Sequence, residues 1–327
     1  MNIDLRHLRH ARALAEHRNF GRAARALRLT QPALSRSIAQ LENLVGARLF
    51  ERNSTGIELT DTGSLLLDRA VELLARADDL GREMASLQGR GAGVLRIGAG
   101  TYPAEILVGH ALAALLQRLP DVQARIEVEN VVQLIPLLRR RDLDLVIGDA
   151  TQLADDPEFI ITALTPRQGY FVCRAGHPLL KQSRLTLEDV MAFPLVFTGR
   201  LPPRLLGPIV AASRRPDRTG DRRSLPSVTC ESLAMMKTIV AASDAVAILP
   251  LGAIGPEVGS DSLAVLPLVE PWLYGNFSII RLARRTAPPS SEAFIQLLLE
   301  ADAELTRVTE EVHRKVVAPR GRIRGRQ

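Results

Sequence analysis

The sequence predicts a multidomain protein: an all-α N-terminal domain with a small β-hairpin, then a long helix, then an α/β domain. Three observations predict it. Two short helices flank a tight turn between Phe20 and Gly46. Apolar residues recur every three or four positions from residue 66 to residue 87. From Val94 onward, short apolar strands alternate with helical segments, which is the pattern of a parallel sheet covered by helices.

The segment from Phe20 to Gly46 has helix start and stop signals in the expected places. A first helix is predicted at Phe20–Leu27, and Arg28–Leu29 turns the chain. Thr30 stands where an N-cap belongs, because its hydroxyl can accept an orphan backbone N–H. Pro32 falls in the first turn, where a missing N–H costs little. Gly46 is a good residue to end the second helix.

The second helix has one apolar and one polar side. At about 100° per residue, its apolar residues form one stripe: Leu34, Ile38, Leu41 and Val45. The residues pointing away from it are Pro32, Arg36, Ala39, Gln40 and Asn43, flanked by Gln31 and Ser35. This face offers donors, acceptors and a guanidinium but no carboxylate, which suits base edges and phosphates in a DNA major groove. The geometry alone equally allows an ordinary solvated helix face.

A first helix at residues 4–17 precedes this pair, and a hairpin follows it. Two extended pieces, Arg48–Arg52 and Ile57–Thr60, flank a turn rich in Asn, Ser and Gly. This hairpin is a candidate wing beside the helix pair. Arg52 lies at the start of the loop, where it could reach a phosphate or the minor groove. Such a contact would supply affinity and register without sequence information.

A long helix is predicted from a Thr60 cap to about Gln88. Its apolar positions alternate at spacings of four and three, and they are Leu66, Ala70, Leu73, Ala77, Leu80, Met84 and Leu87. A heptad seam of this length predicts pairing with a second helix. The alternative is that the stripe packs on its own domain. The segment Gly89–Gly93 has three glycines in five residues, which predicts a hinge and a domain boundary.

The C-terminal part begins with a βαβαβ pattern. Its predicted strands are Val94–Gly98, Ala124–Glu129 and Leu143–Gly148, with helices at 104–118 and 131–140. The Gly98–Gly100 segment lacks full dinucleotide-binding spacing, and this excludes a nucleotide site. Later strands are predicted at Tyr170–Arg174, Leu195–Phe197, Val228–Cys230, Ala245–Leu249 and Asn276–Arg281. Helices are predicted at Pro202–Ala212, at 231–242 and from about Ser290 to Arg314.

Ligands of open α/β sheets bind at the carboxyl ends of strands. The residues in those places are Gly100, Thr101 and Tyr102; Asn130 and Val131; Asp149; Thr198, Gly199 and Arg200; and Cys230 and Glu231. The helix after Thr101 offers backbone N–H groups to an anion, and Arg200 could bind a carboxylate bidentately. Asp149 and Glu231 argue against a simple anion pocket, so a zwitterion or a neutral polar molecule stays open.

Composition narrows the function classes. The chain has 327 residues and a net charge of +6. Residues 1–60 carry ten arginines against five acids, and the segment after Glu311 carries six basic residues and no acid, which leaves a net charge of −5 between them. The basic ends therefore suit a polyanion, whereas the middle does not. Two distant cysteines fit a reducing compartment. No catalytic constellation, metal-ligand spacing, signal peptide or membrane-spanning run stands out.

The N-terminal residues closely resemble the DNA-binding domain of the LysR-type transcriptional regulators. The matching positions are Phe20, Ala23–Ala24, Leu27, Thr30–Ser35, Ile38, Leu41–Glu42, Leu44, Gly46, Leu49–Arg52, Leu59–Thr60 and Gly63. Weaker similarities follow at Leu143–Gly148, Arg174–Leu179 and Val240–Pro250. The last of these departs from the family pattern, because Ser243–Val246 stands where glycines are usual. That departure puts a ligand contact at this turn in doubt.

The resemblance implies a bacterial, cytoplasmic regulator, not an enzyme, that binds operator DNA as a homodimer or homotetramer. Its DNA-binding residues would be Thr30, Gln31, Pro32, Ser35, Arg36, Gln40 and Arg52. Its dimerising helix would use Leu66, Leu73, Leu80, Met84 and Leu87. A small-molecule effector, with no other cofactor, would bind between two α/β subdomains hinged like those of a periplasmic-binding protein. RNA polymerase would be a further partner if the regulator activates transcription.

The implied organisation is a winged helix-turn-helix at 1–60, a linker helix and hinge at 61–92, and an effector domain at 93–312. Subdomain I would comprise 93–165 and 268–312, and subdomain II 166–267. A basic, disordered tail would occupy 313–327, adding DNA affinity or only solubility. Two other functions stay open: a ligand-binding protein or enzyme with a structural helical appendage, and a DNA-compacting protein with a vestigial cleft.

Overall fold

The structure describes most of the chain, which divides into two compact units. The computed structural model describes residues 3–53, 56–87, 94–199, 201–213, 225–255, 257, 260–285 and 287–317; for residues 52, 82, 83, 85–87, 311, 312 and 315–317 it describes the backbone only. The chain divides into two compact units, Met1–Arg90 with Arg139–Asp142, and Gly91–Leu138 with Leu143–Gln327. The predicted hinge at 89–93 lies outside the described residues, as does Arg200.

The first unit contains four helices and a two-stranded sheet among its described residues. They are α1 (Leu5–His17), α2 (Phe20–Ala26), α3 (Gln31–Val45), β1 (Phe50–Asn53), β2 (Gly56–Leu59) and α4 (Asp61–Leu87). Thr30 caps α3 by accepting from the backbone N–H of Ala33, and Gly46 ends it in the left-handed region at φ 76°. Strands β1 and β2 are antiparallel. The predicted helix pair, cap and wing are confirmed.

One core holds this unit together. The predicted stripe of α3 contributes Leu34, Ile38 and Leu41, which are all buried. They pack with Leu8 and Leu14 of α1 and with the small residues of α2, whose size allows the close approach. Because burying one large aliphatic side chain stabilises by about 1.5–3 kcal/mol, this shared core fixes the orientation of α3.

The second unit contains two sheets, and the chain passes between them twice, at residues 164–166 and 276–277. We call these two connecting segments the crossings. The first sheet has the strand order β4-β3-β5-β13-β6, and we call it with its helices the first lobe. Its strands are β3 (Val94–Ala99), β4 (Gln123–Val128), β5 (Leu145–Gly148), β6 (Phe159–Ala163) and β13 (Ser278–Leu282). Strand β3 pairs in parallel with β4 and β5, whereas β13 runs antiparallel to β5 and β6. The predicted βαβαβ unit is confirmed.

The second sheet, with the order β11-β7-β10-β8-β9 and β12 beside β7, forms the second lobe with its helices. Its strands are β7 (Arg167–Arg174), β8 (Leu195–Phe197), β9 (Val228–Thr229), β10 (Val246–Pro250), β11 (Leu263–Val265) and β12 (Tyr274–Gly275). The boundary expected at residue 268 is wrong, because β12 still pairs with β7. The backbone N–H of Leu164 donates to the carbonyl oxygen of Phe277 at 2.9 Å, which joins the two crossings.

The helices of the second unit mostly lie where the sequence predicts them. They are α5 (Thr101–Pro103), a π-helical turn (Ala104–Val108), α6 (Gly109–Arg118), α7 (Val131–Arg139), α8 (Leu187–Met191), α9 (Pro203–Ala212), α10 (Leu233–Ala241) and α11 (Pro289–Val317). Helix α11 continues to Val317, so residues 313–317 are helical and not part of a disordered tail. Residues 318–327 lie outside the described chain.

The turn at Ser243–Val246 does not need the glycines that the family pattern would place there. Asp244 is not among the residues with positive φ in the described chain. Its carboxylate pairs with Arg174 at 2.6 Å, and its carbonyl oxygen contacts Nε2 of His177 at 3.2 Å. The bonds from Asp244 to Arg174 and His177 therefore hold the turn in place.

The start of α4 has room only for glycine at residue 63. A Cβ atom on Gly63 would lie 2.1 Å from the carbonyl oxygen of Leu49, whereas a Cβ on Gly81 of the same helix would meet nothing within 4 Å. We expect Gly63→Ala to lower the free energy of unfolding by about 2 kcal/mol or more, because backbone has to move. Gly81→Ala should raise it by about 0.5–1 kcal/mol through helix propensity. Chemical denaturation of both variants checks this, and equal effects would contradict it.

Candidate functional site

The face of α3 opposite the core is open to solvent. Thr30, Gln31, Pro32, Ser35, Arg36 and Gln40 are all exposed. In the described part of the chain, no hydrogen bond or ion pair engages the guanidinium of Arg36. The nearest acid along the helix, Glu42, turns away, because its carboxylate accepts from the backbone N–H groups of Leu49 at 2.8 Å and Phe50 at 3.3 Å. The face is therefore free of negative charge and can bind an anion.

The N-terminal unit exposes more basic residues than the sequence assigned to DNA binding. Arg22, Arg25, Arg28 and Arg48 are all exposed. Arg28 occupies the turn between α2 and α3 with φ 56°, a left-handed conformation that few non-glycine residues adopt. The side chain of Arg52 lies outside the described residues, although its backbone pairs with Ile57 in the wing. Only the density of arginine in residues 1–60 could have indicated these extra cations.

Tyr102 connects the two lobes inside the second unit. Its hydroxyl donates to the carbonyl oxygen of Ile248 at 3.2 Å, and its ring lies 6.3 Å from the ring of Phe197. Burial raises the pKa of Tyr102 to about 12, although hydrogen bonds from Thr198 oppose the shift. The phenol is therefore neutral at any physiological pH. Two residues predicted for one ligand site, Tyr102 and Thr198, are thus in contact.

Three more predicted residues meet around Gly199. A Cβ atom placed on Gly199 would lie 3.7 Å from Nδ2 of Asn130 and 3.8 and 3.9 Å from the two carboxylate oxygens of Glu231. Gly199 has φ 61°, so a side chain there would also strain the backbone. Oδ1 of Asn130 accepts from the backbone N–H of Val132 at 3.0 Å, which leaves its amide nitrogen toward this space. The cleft here offers an amide donor and a carboxylate.

Not every predicted cleft residue faces this space. Val131 packs toward Gly148, where a Cβ would lie 2.2 Å from its Cγ2, so it belongs to the lobe core. Gly100 donates its backbone N–H to Ile147 and caps the short helix at Thr101. Cys230 is partly buried against the core, and its backbone N–H donates to Phe197 at 3.2 Å. The other thiol, Cys173, is buried, and burial raises its pKa to about 12.

Two ion pairs also join the lobes. Nη1 of Arg204 lies 3.1 Å from Oδ2 of Asp149, and its Nη2 donates to the carbonyl oxygen of Tyr274 at 2.7 Å. The guanidinium stands 5.2 Å from the centroid of the Tyr274 ring. Nζ of Lys237 lies 2.9 Å from Glu257 and 3.4 Å from Glu105 of the other lobe. The sequence indicated Asp149 because it directly follows a strand. No sequence signal indicated that Arg204 would be its partner.

Comparison with known proteins identifies the chain. Residues 5–64 match the family described as bacterial regulatory helix-turn-helix protein, lysR family, and residues 88–303 match the LysR substrate binding domain. The chain is 36% identical over 304 residues to the SDS degradation transcriptional activation protein of Pseudomonas sp. (strain ATCC 19151), covering 92% of this chain and 97% of that one. The protein belongs to the LysR family. It is a DNA-binding transcriptional regulator with an effector-binding domain, as the sequence predicts.

Solved LysR-family structures share the fold. Full-length OxyR from Pseudomonas aeruginosa aligns with a TM-score of 0.63 at 23% identity, covering 92% of this chain and 95% of that one. CbnR in complex with its target DNA aligns with a TM-score of 0.61 at 20% identity, covering 91% and 100%. These matches confirm the predicted architecture of a winged helix-turn-helix, a linker helix and a two-lobed α/β domain.

In this LysR-family chain, helix α4 carries apolar residues on two faces. Leu67, Ala70 and Leu74 are buried in the N-terminal core, and Leu66 packs partly against it. Ala70 is therefore not free for pairing, whereas Leu66 lies on the same helix face as Leu73 and is only partly buried. Leu73, Leu80 and Met84 are 53%, 59% and 48% exposed. The side chain of Leu87 lies outside the described residues.

The described chain offers no other obvious chemistry. Among residues 3–53, 56–87, 94–199 and the later described segments, no three His, Cys, Asp or Glu side chains are grouped to hold a metal ion. None of the helices described is long and apolar enough to cross a bilayer. Most of the residues that the sequence predicts for binding thus lie on the helix face and in the lobe cleft.

The Asp149–Arg204 pair should contribute measurably to the stability of the second unit. Its side chains are 35% and 27% exposed, against 61% and 59% for the Glu300–Arg118 pair on the surface. We expect a double-mutant cycle with Asp149→Asn and Arg204→Gln to give a coupling free energy of about 0.5–1 kcal/mol. The Arg118→Gln and Glu300→Gln cycle should give a smaller value. Thermal unfolding at two salt concentrations measures both, and equal couplings would refute the expectation.

Proposed function

We propose that the exposed face of α3 reads the operator of this LysR-family regulator. Thr30, Gln31, Pro32, Ser35, Arg36 and Gln40 contact the DNA, and Arg52 of the wing contacts a phosphate or the minor groove. The observation that carries the proposal is the acid-free face with an unengaged Arg36. A guanidinium can bond guanine bidentately, and glutamine can bond adenine in the same way. Exposed Arg22, Arg28 and Arg48 add phosphate contacts that hold register.

The effector binds between the lobes of the second unit. Gly100, Thr101, Tyr102, Asn130, Thr198, Gly199, Cys230 and Glu231 surround it, and Arg200 is a further candidate. The meeting of Asn130 and Glu231 around Gly199 supports this placement. An amide donor beside a carboxylate favours a zwitterion or a neutral polar molecule over a simple anion. The effector acts only if it binds the open and closed lobes unequally.

The active form is a homodimer or homotetramer that pairs through α4. The exposed residues Leu73, Leu80 and Met84 are the described part of the pairing stripe, and Leu87 continues it in sequence. Two paired chains would present two α3 helices to half-sites related by two-fold symmetry.

The protein acts in the cytoplasm and has no catalytic role. The Pseudomonas relative is named for transcriptional activation, which favours activation here and RNA polymerase as a partner. The basic residues after Glu311 add sequence-independent DNA affinity or serve solubility. The domain limits implied by the sequence, 1–60, 61–92 and 93–312, fit this division of labour.

Arg36→Ala should weaken specific DNA binding. We expect a loss of roughly 1–3 kcal/mol on the DNA upstream of the protein's own gene, with little change on random DNA. Arg36→Lys keeps the charge but loses bidentate bonding, so it should lose most of the same specificity. Competition gel shifts at two salt concentrations measure both ratios.

Arg76→Ala is the matched control for this experiment. Arg76 is exposed on α4 and pairs with Glu72 at 2.6 Å, away from the α3 face. It should leave specificity unchanged. Equal losses on specific and random DNA for Arg36→Ala would reduce Arg36 to a phosphate contact and overturn its assigned role.

Leu80→Glu should dissociate the oligomer. A charge at this position, which is 59% exposed, costs little in the isolated chain but is expensive in an apolar interface. We expect sedimentation velocity to show a smaller species for Leu80→Glu, with thermal stability of the chain retained. Val308→Glu, at a residue 47% exposed on α11, is the control and should leave the assembly intact. An unchanged assembly in Leu80→Glu would place the interface elsewhere.

A further inference from the structure

A second cavity lies in the effector-binding unit, away from the residues proposed for the cleft. Its volume is about 290 Å³, close to the lower end of the range of roughly 300–1,000 Å³ that small-molecule sites occupy. It is bounded by the first crossing and the start of β7 at residues 165–168, by the end of β10 and by helix α11. Ile106, Pro166, Leu251 and Leu305 form its apolar side. The cavity can therefore take the body of a compact apolar molecule.

Most hydrogen-bond donors in its lining are already used. Nε2 of Gln168 donates to the carbonyl oxygens of Gly169, Glu270 and Leu273 at 2.9, 3.0 and 2.8 Å. These bonds use the N–H groups of the Gln168 amide, so the atom left to bond a ligand is the acceptor Oε1. The hydroxyl of Thr309 donates to backbone carbonyl oxygens at 2.7 and 3.1 Å, and only its lone pairs remain.

The positive charge in the lining is also neutralised. Arg167 pairs with the carboxylate of Asp302, and the two side chains are 5% and 8% exposed. Its Nη1 donates to Thr306 at 2.9 Å, and its Nη2 donates to the carbonyl oxygen of Asp302 at 2.8 Å. Its Nε makes no hydrogen bond, but that atom has no access to solvent and so does not face the cavity. An anionic ligand would find no free cation here.

The remaining charge in the lining is negative and lies at the mouth. Glu310 is exposed, and among the described residues no hydrogen bond or ion pair engages its carboxylate. Beside it, the hydroxyl of Tyr170 bonds Nδ1 of His313. Whichever of these two atoms donates, the pair keeps a single free donor, against acceptors on Gln168, Thr309 and Glu310. The polar end of the cavity therefore seeks a donor, preferably a cationic one.

We propose that this cavity is a second ligand site, specific for a compact apolar molecule that carries a primary ammonium group. The apolar body lies against Ile106, Leu251 and Leu305, and the ammonium group bonds Glu310, with Thr309 and Gln168 as further acceptors. Because α11, the crossing and β10 all line the cavity, a bound ligand braces the segment through which the chain passes between the lobes.

The test compares three probes of one shape on the full-length protein: cyclohexylamine, cyclohexanol and cyclohexanecarboxylate. Saturation-transfer NMR titrations at neutral pH give their affinities. We expect the ammonium to bind at least about tenfold more tightly than the carboxylate, with the alcohol between them. Glu310→Gln should weaken the ammonium about threefold to fivefold and leave the alcohol unchanged, because only the charge is removed.

Two further variants complete the design. Glu304→Gln is the matched control, since Glu304 lies on the same helix and pairs with Arg307 at 2.6 Å, outside the lining. It should change nothing. Thr309→Phe should fill the cavity and abolish binding of both the amine and the alcohol. The proposal is overturned if the carboxylate binds as tightly as the amine, if binding persists in Thr309→Phe, or if no probe binds at millimolar concentration. The Glu310 comparison stands even if Thr309→Phe fails to fold.

Discussion

The backbone of Leu49 is the junction on which the DNA-binding unit depends. Its N–H donates to Glu42 of α3 at 2.8 Å, and its carbonyl oxygen accepts from the backbone N–H of Thr60 at 3.0 Å. The start of α4 then closes over that oxygen, where Gly63 leaves no room for a side chain. One residue thus joins the recognition helix, the wing and the linker helix. Because packed interiors are nearly incompressible, a rotation of α4 has to turn α3 with it.

This junction bears on how a dimer reads DNA. The first part of α4 is fixed to the N-terminal core by Leu67, Ala70 and Leu74, and the apolar stripe of Leu73, Leu80 and Met84 lies on another face. One helix therefore serves the domain core and the proposed subunit contact at once. In the proposed dimer, the pairing of the α4 helices sets the spacing between the two α3 helices, and flexible loops do not. The distance between the two DNA half-sites would then be fixed by a rigid dimer.

How much the sequence predicts depends on how local the signal is. Caps, turns and periodicity are local, so the helix pair, Thr30, Gly46, the wing and the first parallel strands are predicted within a residue or two. The short strands β6, β11 and β12 are missed because two to five residues carry little periodicity. Ala70 is wrongly assigned to the free seam, because an apolar stripe does not say what covers it. The lobe contacts of Arg204 and Lys237 are missed because they depend on tertiary approach alone.

The contacts between the lobes constrain what an effector can do in the proposed cleft. Tyr102 with Ile248, Arg204 with Asp149 and Lys237 with Glu105 all join the lobes. A ligand carboxylate that took Arg204 would leave Asp149 without its cation, bonded only to Thr151 among the described residues. A ligand cation that took Asp149 would leave Arg204 without its anion, bonded, in the described part of the chain, only to the carbonyl oxygen of Tyr274. Losing this partly exposed ion pair costs about 0.5–1 kcal/mol, which approaches the size of a typical allosteric coupling. A zwitterion, which can satisfy both groups, avoids that cost. The pairing of Arg204 with Asp149 thus favours effectors that carry charges of both signs or none.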